Sequence, residues 1–272
     1  MKKKILALLL AATTIFATTA CGNAGGSKAT DSKITIAASI TPHSELLEQV
    51  KPILSEEGIT LDIIVTDDPV IPNTSLQEGS IDANFFQHQP YLDQFNEENG
   101  TDFVSIGATH YEPFAVYSQK ITSLSDLPDG AKIAVPNNVA NEARALLLLE
   151  QEGVITLKEG AGITATVTDI ADNPKNITII EIDPQQLVNS LPDVDAAVIN
   201  GNYALAGGLS IKDSLAQEAS DSLAAQTYKN IVVTSSDKAN DPNLLKLIEA
   251  LQSEEIQQYI NDNYNGAVVP VK

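Results

Sequence analysis

The sequence predicts an α/β protein of two lobes with a cleft between them. From residue 33 onward, short β-rich runs alternate with helical patterns, which is typical of a mainly parallel sheet covered by helices. The pattern breaks at Pro128-Asp129-Gly130 and then restarts, so a second lobe is expected. A last strand and helix are expected to return to the first lobe, which makes two connections between the lobes.

The first lobe begins with an apolar strand at residues 34–38. Pro42 and Ser44 then open an amphipathic helix that ends at Gly58. Further strands are predicted where β-branched and aromatic residues cluster, at 61–66, 83–86, 103–106 and 113–117, and a helical turn at 75–79.

The second lobe repeats this alternation. Strands are predicted at 132–135, 178–181 and 196–199, and helices at 141–151 and 184–190. The returning elements are a strand at 229–234 and one closing amphipathic helix at 243–259. The predicted boundaries are therefore 33–120 plus 228–272 for lobe I and 121–227 for lobe II.

The N-terminus has the pattern of a lipoprotein signal peptide at residues 1–20. Three lysines precede an apolar run at 5–17, and small residues lead to Cys21, the only cysteine of the chain. The run is shorter than the roughly 20 apolar residues that a membrane-spanning helix needs, so a retained span is the weaker alternative, as is a buried core cysteine. We expect a lipid on Cys21, a flexible tether at 21–32, and an extracytoplasmic protein anchored to the cell membrane.

The charge and composition exclude several classes of partner. The formal net charge is −20 and becomes about −23 without the leader lysines, which argues against nucleic acid or anionic lipid as a partner. No Walker A loop, G-x-S-x-G elbow or H-E-x-x-H motif is present, and no cysteine beyond Cys21. The sequence therefore predicts a binding protein rather than an enzyme, with a hydrolase, a transferase or an adhesive surface protein as weaker alternatives.

Three histidines, His43, His88 and His110, lie near predicted strand ends. Imidazole and carboxylate ligands both suit zinc, so a zinc-binding component of a metal importer is the alternative function. The histidines are widely spaced and lack the local spacing of a zinc motif. A histidine that hydrogen-bonds a loop or a polar ligand is the simpler interpretation.

The segment from Ile81 to Leu92 is the densest aromatic and polar cluster in a chain without tryptophan. Phe86 and Tyr91 can enclose an apolar side chain, while Gln87 and His88 can orient a polar group. The alternative is that the phenylalanines of this segment belong to the core.

Arg144 lies near the start of a predicted helix whose other residues are strongly apolar. A guanidinium binds a carboxylate bidentately, and the helix N-terminus also favours an anion. A surface ion pair with Glu142 or Glu150 is the alternative. Asn200 and Asn230 stand at strand ends, where an amide offers both a donor and an acceptor, although each could also complete a turn.

These motifs resemble those of the methionine-binding lipoproteins of ABC importers, the MetQ/NlpA type. The resemblance runs from about residue 33 to the C-terminus and is carried by IDAN at 81–84, FQHQPYLD at 86–93, VPN at 135–137 with Asn141 and Arg144, and AVIN at 197–200. It implies a type II periplasmic-binding-protein fold with the ligand in the cleft between two lobes.

The resemblance also implies the binding residues and the partners. The ligand-binding residues would be Phe86, His88, Tyr91, Asn141, Arg144, Asn200 and Asn230. An ABC permease with its ATPase subunits would receive the ligand from a monomeric binding protein, and no cofactor or metal is implied.

One position departs from the family pattern. An aromatic residue often precedes the V-x-P-N segment in the family, whereas this chain has Pro69 there. A wider or less aromatic slot would follow. The expected ligand is therefore methionine in its L or D form, a methionine-containing dipeptide, or a related small apolar amino acid.

Overall fold

The computed structural model describes residues 32–219 and 223–271. The predicted signal peptide, Cys21 and the tether up to residue 31 lie outside the described residues. In the part of the chain that is described, no helix has the length and apolar character needed to cross a membrane.

The described residues form short strands and helices in alternation. The strands are β1 (Ser32–Ala38), β2 (Ile59–Val65), β3 (Ala83–His88), β4 (Val104–Tyr111), β5 (Ala115–Tyr117), β6 (Lys132–Pro136), β7 (Thr156–Leu157), β8 (Ile170–Asp172), β9 (Thr178–Ile182), β10 (Ala196–Ile199), β11 (Ala216–Gln217), β12 (Lys229–Thr234) and β13 (Val269–Pro270). The helices are α1 (Glu45–Glu56), α2 (Ile71–Gln77), α3 (Gln89–Asn99), α4 (Val139–Gln151), α5 (Leu187–Ser190), α6 (Gly201–Ala206), α7 (Leu223–Thr227), α8 (Pro242–Leu251) and α9 (Glu254–Asn263).

The first of two main sheets is six-stranded, in the order β13-β4-β12-β3-β1-β2. Strand β1 pairs in parallel with β2 and with β3, as expected for strands joined through helices. Strand β12 is antiparallel to both β3 and β4. Strand β12 comes after all strands of the second sheet in the chain, yet it lies between β3 and β4 of the first sheet.

The second main sheet is five-stranded, in the order β11-β5-β10-β6-β9. Strands β10, β6 and β9 run parallel, while β5 is antiparallel to β10 and to β11. A separate two-stranded sheet joins β7 and β8. Two mixed sheets with helices on them, joined by two crossovers, are the predicted two-lobe α/β architecture.

The first crossover comes earlier in the chain than the sequence predicts. The range 33–120 assigns β5 to lobe I, but β5 pairs with β10 and so belongs to the second sheet. The chain thus leaves the first sheet after Tyr111 and not near residue 120. A short apolar strand does not reveal its partner in the sequence, because register and pairing depend on distant residues. The remaining lobe boundaries stay a prediction.

The closing helix predicted at 243–259 is two helices, α8 and α9. Ser253 separates them and caps α9, since its hydroxyl accepts the backbone N–H of Ile256 at 3.4 Å. The helical spacing of apolar residues continues across Ser253 because both helices pack on the same core. The spacing therefore does not reveal that one helix ends before Ser253 and another begins after it.

Both faces of each main sheet are covered by apolar packing. In the first sheet, one face packs on α1, α8 and α9, and the other on residues of α2 and α3. In the second sheet, one face packs on α4 and the other on α5 and α6. Because the parallel strands end at the same edge of their sheet, the loops that follow β1, β3, β6 and β10 meet between the two sheets.

Two leucines of α8 provide a matched test of this packing. Leu247 is fully buried in the first core, whereas Leu245 is 42% exposed. We expect Leu247→Ala to lower the free energy of unfolding by about 2–5 kcal/mol, because it removes a packed side chain and leaves a cavity. Leu245→Ala is expected to change it by less than about 0.5 kcal/mol. Urea unfolding of both variants measures this; equal losses would contradict the orientation of α8.

Candidate functional site

A cavity lies between the two sheets, at the loops that follow their parallel strands. Its space, counted out to the open mouth, is about 620 Å³. Every residue that the sequence predicts as ligand-binding lines it: Phe86, His88, Tyr91, Asn141, Arg144, Asn200 and Asn230, together with Pro69. The structure thus brings the predicted residues to one place, and their role toward a ligand stays a proposal.

The aromatic wall comes from the end of β3 and the start of α3. Side chains alternate along a strand, so Phe85 is fully buried in the core while Phe86 is half-buried and lines the cavity. Phe86 and Tyr91 meet edge to face with ring centroids 5.7 Å apart. Tyr91 donates its hydroxyl to the Pro69 carbonyl at 3.2 Å, which fixes the loop after β2 against this wall.

His88 connects this wall to the opposite lobe. It is the N-cap of α3, and its Nδ1 accepts the backbone N–H of Tyr91 at 3.3 Å. Nε2 then carries the hydrogen and donates to Asn141 Oδ1 of α4 at 3.0 Å. Burial, with Arg144 nearby, lowers the pKa of His88 to about 3, so the imidazole is neutral.

Arg144 is the only arginine of the chain, and only 3% of it is exposed. Its Nε donates to Glu218 Oε1 at 2.8 Å and its Nη2 to Glu218 Oε2 at 2.6 Å. Burial by itself would lower the pKa of Arg144, but the Glu218 carboxylate raises it above its usual value. The guanidinium is therefore charged at every physiological pH.

The alternative for Arg144, a surface ion pair with Glu142 or Glu150, is wrong. Glu142 accepts the Val167 N–H at 2.9 Å, and Glu150 accepts the Leu157 N–H at 2.7 Å. The guanidinium instead lies over the Phe114 ring, 3.9 Å from its centroid, and 4.5 Å from the centroid of Tyr228. Glu218 occupies the Nε–Nη2 edge of the guanidinium, so Nη1 is the nitrogen that lies outside this ion pair.

Glu218 is one of two buried carboxylates that the sequence does not reveal. Besides Arg144, it accepts the Tyr111 hydroxyl at 2.5 Å and the Phe114 backbone N–H at 2.8 Å. Tyr111 and Phe114 belong to the first crossover between the sheets, and Glu218 begins the second. No local motif surrounds Glu218; its four donors come from residues 74 to 107 positions away.

Glu112 is the second buried carboxylate, and it lines the cavity. Its Oε1 lies 2.7 Å from His110 Nε2 and 3.5 Å from His43 Nε2. Gly201 packs against it so closely that a β-carbon there would be 2.7 Å from the Glu112 β-carbon. Burial raises the pKa of Glu112, while His43, Arg144 and the Asn202 backbone N–H act in the opposite direction.

The asparagine side chains of the cavity differ in how many of their polar atoms have hydrogen-bond partners. Asn141 donates from Nδ2 to Asn138 Oδ1 at 2.8 Å, and Asn230 Oδ1 faces His43 Nε2 at 3.0 Å. Asn200 Oδ1 is buried and has no hydrogen-bond partner among the described residues. A buried acceptor without a donor costs about 1–3 kcal/mol, so Asn200 is suited to an N–H group that a ligand would bring.

The alternative of a zinc ion held by all three histidines is not favoured by the structure. Only His43 and His110 lie together, with Glu112, where their ligand atoms fall within 4.8 Å of one another. His88 instead bonds Asn141 across the cleft. Both ring nitrogens of His43 and of His110 already have protein partners, so the histidines serve as hydrogen-bonding groups.

Comparisons with known proteins agree on one family. The family profile described as NlpA lipoprotein matches residues 34–272. The methionine-binding lipoprotein MetQ of Bacillus subtilis is 40% identical, covering 100% of this chain and 99% of the relative. The D-methionine-binding lipoprotein MetQ of Escherichia coli K12 is 42% identical over 78% of each chain.

Solved structures give the same fold. A nutrient binding protein from Burkholderia cenocepacia bound to methionine is 45% identical, with a TM-score of 0.84, over 88% of this chain and 100% of that one. A periplasmic substrate-binding protein of an ABC transporter from Coxiella burnetii is 43% identical, with a TM-score of 0.83 and the same coverage. These likenesses confirm the predicted two-lobe periplasmic-binding fold.

The pairing of the buried charges can be tested by removing them in turn. We expect Glu218→Gln to lower the free energy of unfolding by about 3–5 kcal/mol, because it leaves the Arg144 guanidinium buried without a countercharge. The double variant Arg144→Met, Glu218→Gln removes that charge as well and is expected to be more stable than the single variant. Urea unfolding compares them; a double variant no more stable than Glu218→Gln would contradict the pairing.

The buried histidines predict a pH dependence of stability. Burial lowers the pKa of His43 to about 4 and of His88 and His110 to about 3, from an ordinary value of 6.5. Below pH 6.5 the unfolded chain binds protons that the folded chain does not. The free energy of unfolding should therefore fall as the pH drops toward 4, by about 1.4 kcal/mol per pH unit for each histidine.

Urea unfolding at several pH values, with His88→Gln as the comparison, measures this contribution. The variant lacks one titrating group, so its free energy of unfolding should depend on pH less steeply than that of the wild type, by about one proton. Parallel pH profiles would show that His88 is protonated in the folded protein.

Proposed function

This chain belongs to the NlpA lipoprotein family, and on that premise we propose that it is the substrate-binding protein of an ABC importer with methionine as its ligand. The protein would be extracytoplasmic and lipid-anchored at Cys21, and it would deliver the ligand to a permease and its ATPase subunits. The relatives named for methionine or D-methionine and the neighbour bound to methionine support the ligand class.

The observation that carries this proposal is the pairing of opposite charges at one end of an aromatic cavity. Arg144 Nη1 lies outside the ion pair with Glu218, and Glu112 is an adjacent cavity residue, since Arg144 Nη2 also donates to the Glu112 backbone carbonyl at 2.9 Å. A zwitterionic amino acid would place its carboxylate at Arg144 and its ammonium group at Glu112 and Asn200 Oδ1. Each group would then find the partner that its charge requires.

The aromatic side of the cavity suits a thioether. Phe86 and Tyr91 both line the cavity and meet edge to face, and sulfur–aromatic contacts contribute about 0.3–1.5 kcal/mol each. Pro69 lies in this wall where the family often has an aromatic residue. The side-chain slot is then wider, which keeps D-methionine and methionine-containing dipeptides in the proposal beside L-methionine.

Closure of the cleft would couple binding to transport. Hydrogen bonds between described residues of the two lobes include those from His88 to Asn141, from the Ala140 N–H to Gln94 Oε1 at 3.2 Å, and from the Tyr203 hydroxyl to the Asp67 carbonyl at 3.5 Å. A ligand that contacts residues of both lobes stabilises this closed arrangement and so shifts the population toward it. The permease would recognise the closed form.

Isothermal titration calorimetry on protein freed of copurified ligand tests the proposed function. L-methionine, D-methionine and a methionine-containing dipeptide form the test panel, and leucine is the control of similar size without sulfur. We expect at least one methionine compound to bind more tightly than leucine. If none of them binds, the proposed ligand class is wrong.

Arg144→Lys tests the assigned carboxylate partner. Lysine keeps a positive charge near Glu218 but lacks the planar fork, so we expect methionine affinity to fall by roughly 10- to 100-fold through the loss of charged hydrogen bonds. Gln151→Ala, at an exposed position of the same helix, is the matched control and should bind as the wild type does. Unchanged binding in Arg144→Lys would remove the arginine from the site.

A further inference from the structure

Two histidines stand directly behind the cavity wall without lining it. His43 and His110 are fully buried, and their ring centroids are 5.0 Å apart. Each bonds one residue that does line the cavity: His43 bonds Asn230, and His110 bonds Glu112. The proposed function assigns them no role, although burying two imidazoles beside a carboxylate is costly unless every polar atom is satisfied.

The partners determine which nitrogen of each ring carries the hydrogen. The Asn230 Oδ1 atom can only accept, so His43 Nε2 donates to it at 3.0 Å and Ser39 donates its hydroxyl to His43 Nδ1 at 2.5 Å. In the state that binds an ammonium group Glu112 is ionised and only accepts, so His110 Nε2 then donates to Oε1 at 2.7 Å and Thr109 donates to Nδ1 at 2.8 Å. The competing contact of Thr109 Oγ1, with the Asn230 carbonyl, is longer at 3.4 Å.

Both rings are neutral donors in this arrangement. Burial lowers the pKa of His43 to about 4 and that of His110 to about 3, so neither ring carries a charge at neutral pH. A neutral N–H orients a carboxylate and stabilises its ionised form without cancelling its charge. Arginine or lysine at these positions would pair with Glu112 and leave no net negative charge for a ligand.

The same arrangement sets the orientation of the Asn230 amide. Because His43 holds Oδ1, the Nδ2 group remains without a partner among the described residues, on a residue that lines the cavity. Asn230 is thereby a donor toward a ligand and Glu112 is an acceptor. The polar end of the cavity then has distinct positions for an anionic and a cationic group.

We propose that His43 and His110 are positioning residues: as neutral Nε2–H imidazoles, they hold Glu112 as the acceptor for the primary ammonium group of the ligand and Asn230 as a donor to its carboxylate. This inference rests on the proposed function and deepens it. The ligand class becomes α-amino acids and peptides with a free amino group. Analogues in which that group is replaced by hydroxyl are poor ligands.

The isosteric pair His110→Gln and His110→Asn tests the hydrogen bond. The glutamine amide nitrogen reaches the place of Nε2 and can still donate to Glu112, whereas the asparagine amide reaches only the place of Nδ1, beside Thr109. A positioning role predicts that His110→Gln retains methionine binding and that His110→Asn loses roughly 10- to 100-fold in affinity. A role in packing alone also favours the larger glutamine, but its losses follow the cavity left by the ring and fall equally on ligands with and without an ammonium group.

The second readout compares methionine with 2-hydroxy-4-(methylthio)butanoate, which has a hydroxyl in place of the ammonium group. Wild-type protein should prefer methionine, and His110→Asn should lose most of that preference because it weakens methionine binding selectively. Equal losses for both ligands would overturn the proposal and assign His110 to structure. His43→Gln and His43→Asn, measured in the same way, test the neighbouring ring.

Nitrogen-15 NMR of the wild-type protein tests the rings without any variant or ligand. The chain has only three histidines, so long-range proton–nitrogen spectra of the ring nitrogens are simple to assign. The proposal predicts an Nε2–H tautomer with an unprotonated Nδ1 for His43 and His110 at neutral pH. An Nδ1–H tautomer or a doubly protonated ring in either residue would overturn it. If the wild-type protein binds no methionine compound, the proposed function is wrong instead, and so is the role of Glu112 as a ligand partner.

Discussion

The ion pair between Arg144 and Glu218 is the constraint on which the site depends. A guanidinium that is 3% exposed must have a countercharge in contact, since a buried unpaired charge costs several kcal/mol. Glu218 supplies it and uses its remaining acceptor capacity on Tyr111 and Phe114. One carboxylate thereby joins α4 of the second sheet to both segments that connect the two sheets. Arg144 also lines the cavity, so the polar end of the cavity lies beside this junction.

Glu112 and Glu218 differ in the charge of their neighbours. Glu218 contacts a cation and is neutralised by it, and Nη1 of Arg144 lies outside this pair. Glu112 contacts two imidazoles whose pKa values are lowered by burial, so its charge is oriented but not cancelled. Under the proposed function, a zwitterion would bring an ammonium group to Glu112 together with a carboxylate for Arg144.

Closure and recognition use the same side chains. His88 caps α3, packs edge to face with Tyr228 at 5.0 Å between centroids, and donates to Asn141 in the other lobe. Gln94 accepts a backbone N–H from the first turn of α4, where helix donors have no partner within the helix. These bonds join the two lobes outside the cavity. Under the proposed function, a ligand that bridges Arg144 and the aromatic wall would stabilise them, and so would be coupled to the shape that a permease would meet.

The sequence by itself determined the alternation of strands and helices, the two-lobe α/β class, and the family to which the chain belongs. It also determined the side chains of the aromatic wall, because Phe86, His88 and Tyr91 follow one another in one continuous segment whose strand alternation separates Phe86 from the core residue Phe85. Local features of this kind depend on spacing that a sequence displays directly. Arg144 is prominent for the same reason, as the single arginine of an acidic chain.

Only the tertiary structure decided how the charges are paired. No sequence motif marks Glu112 or Glu218, because residues that contact them are distant in the chain. His43 lies 69 positions before Glu112, and Arg144 lies 74 positions before Glu218. The assignment of β5 to the second sheet and the break between α8 and α9 likewise depend on partners that the chain meets after folding. A buried charge is defined by what surrounds it, and a linear pattern does not contain its surroundings.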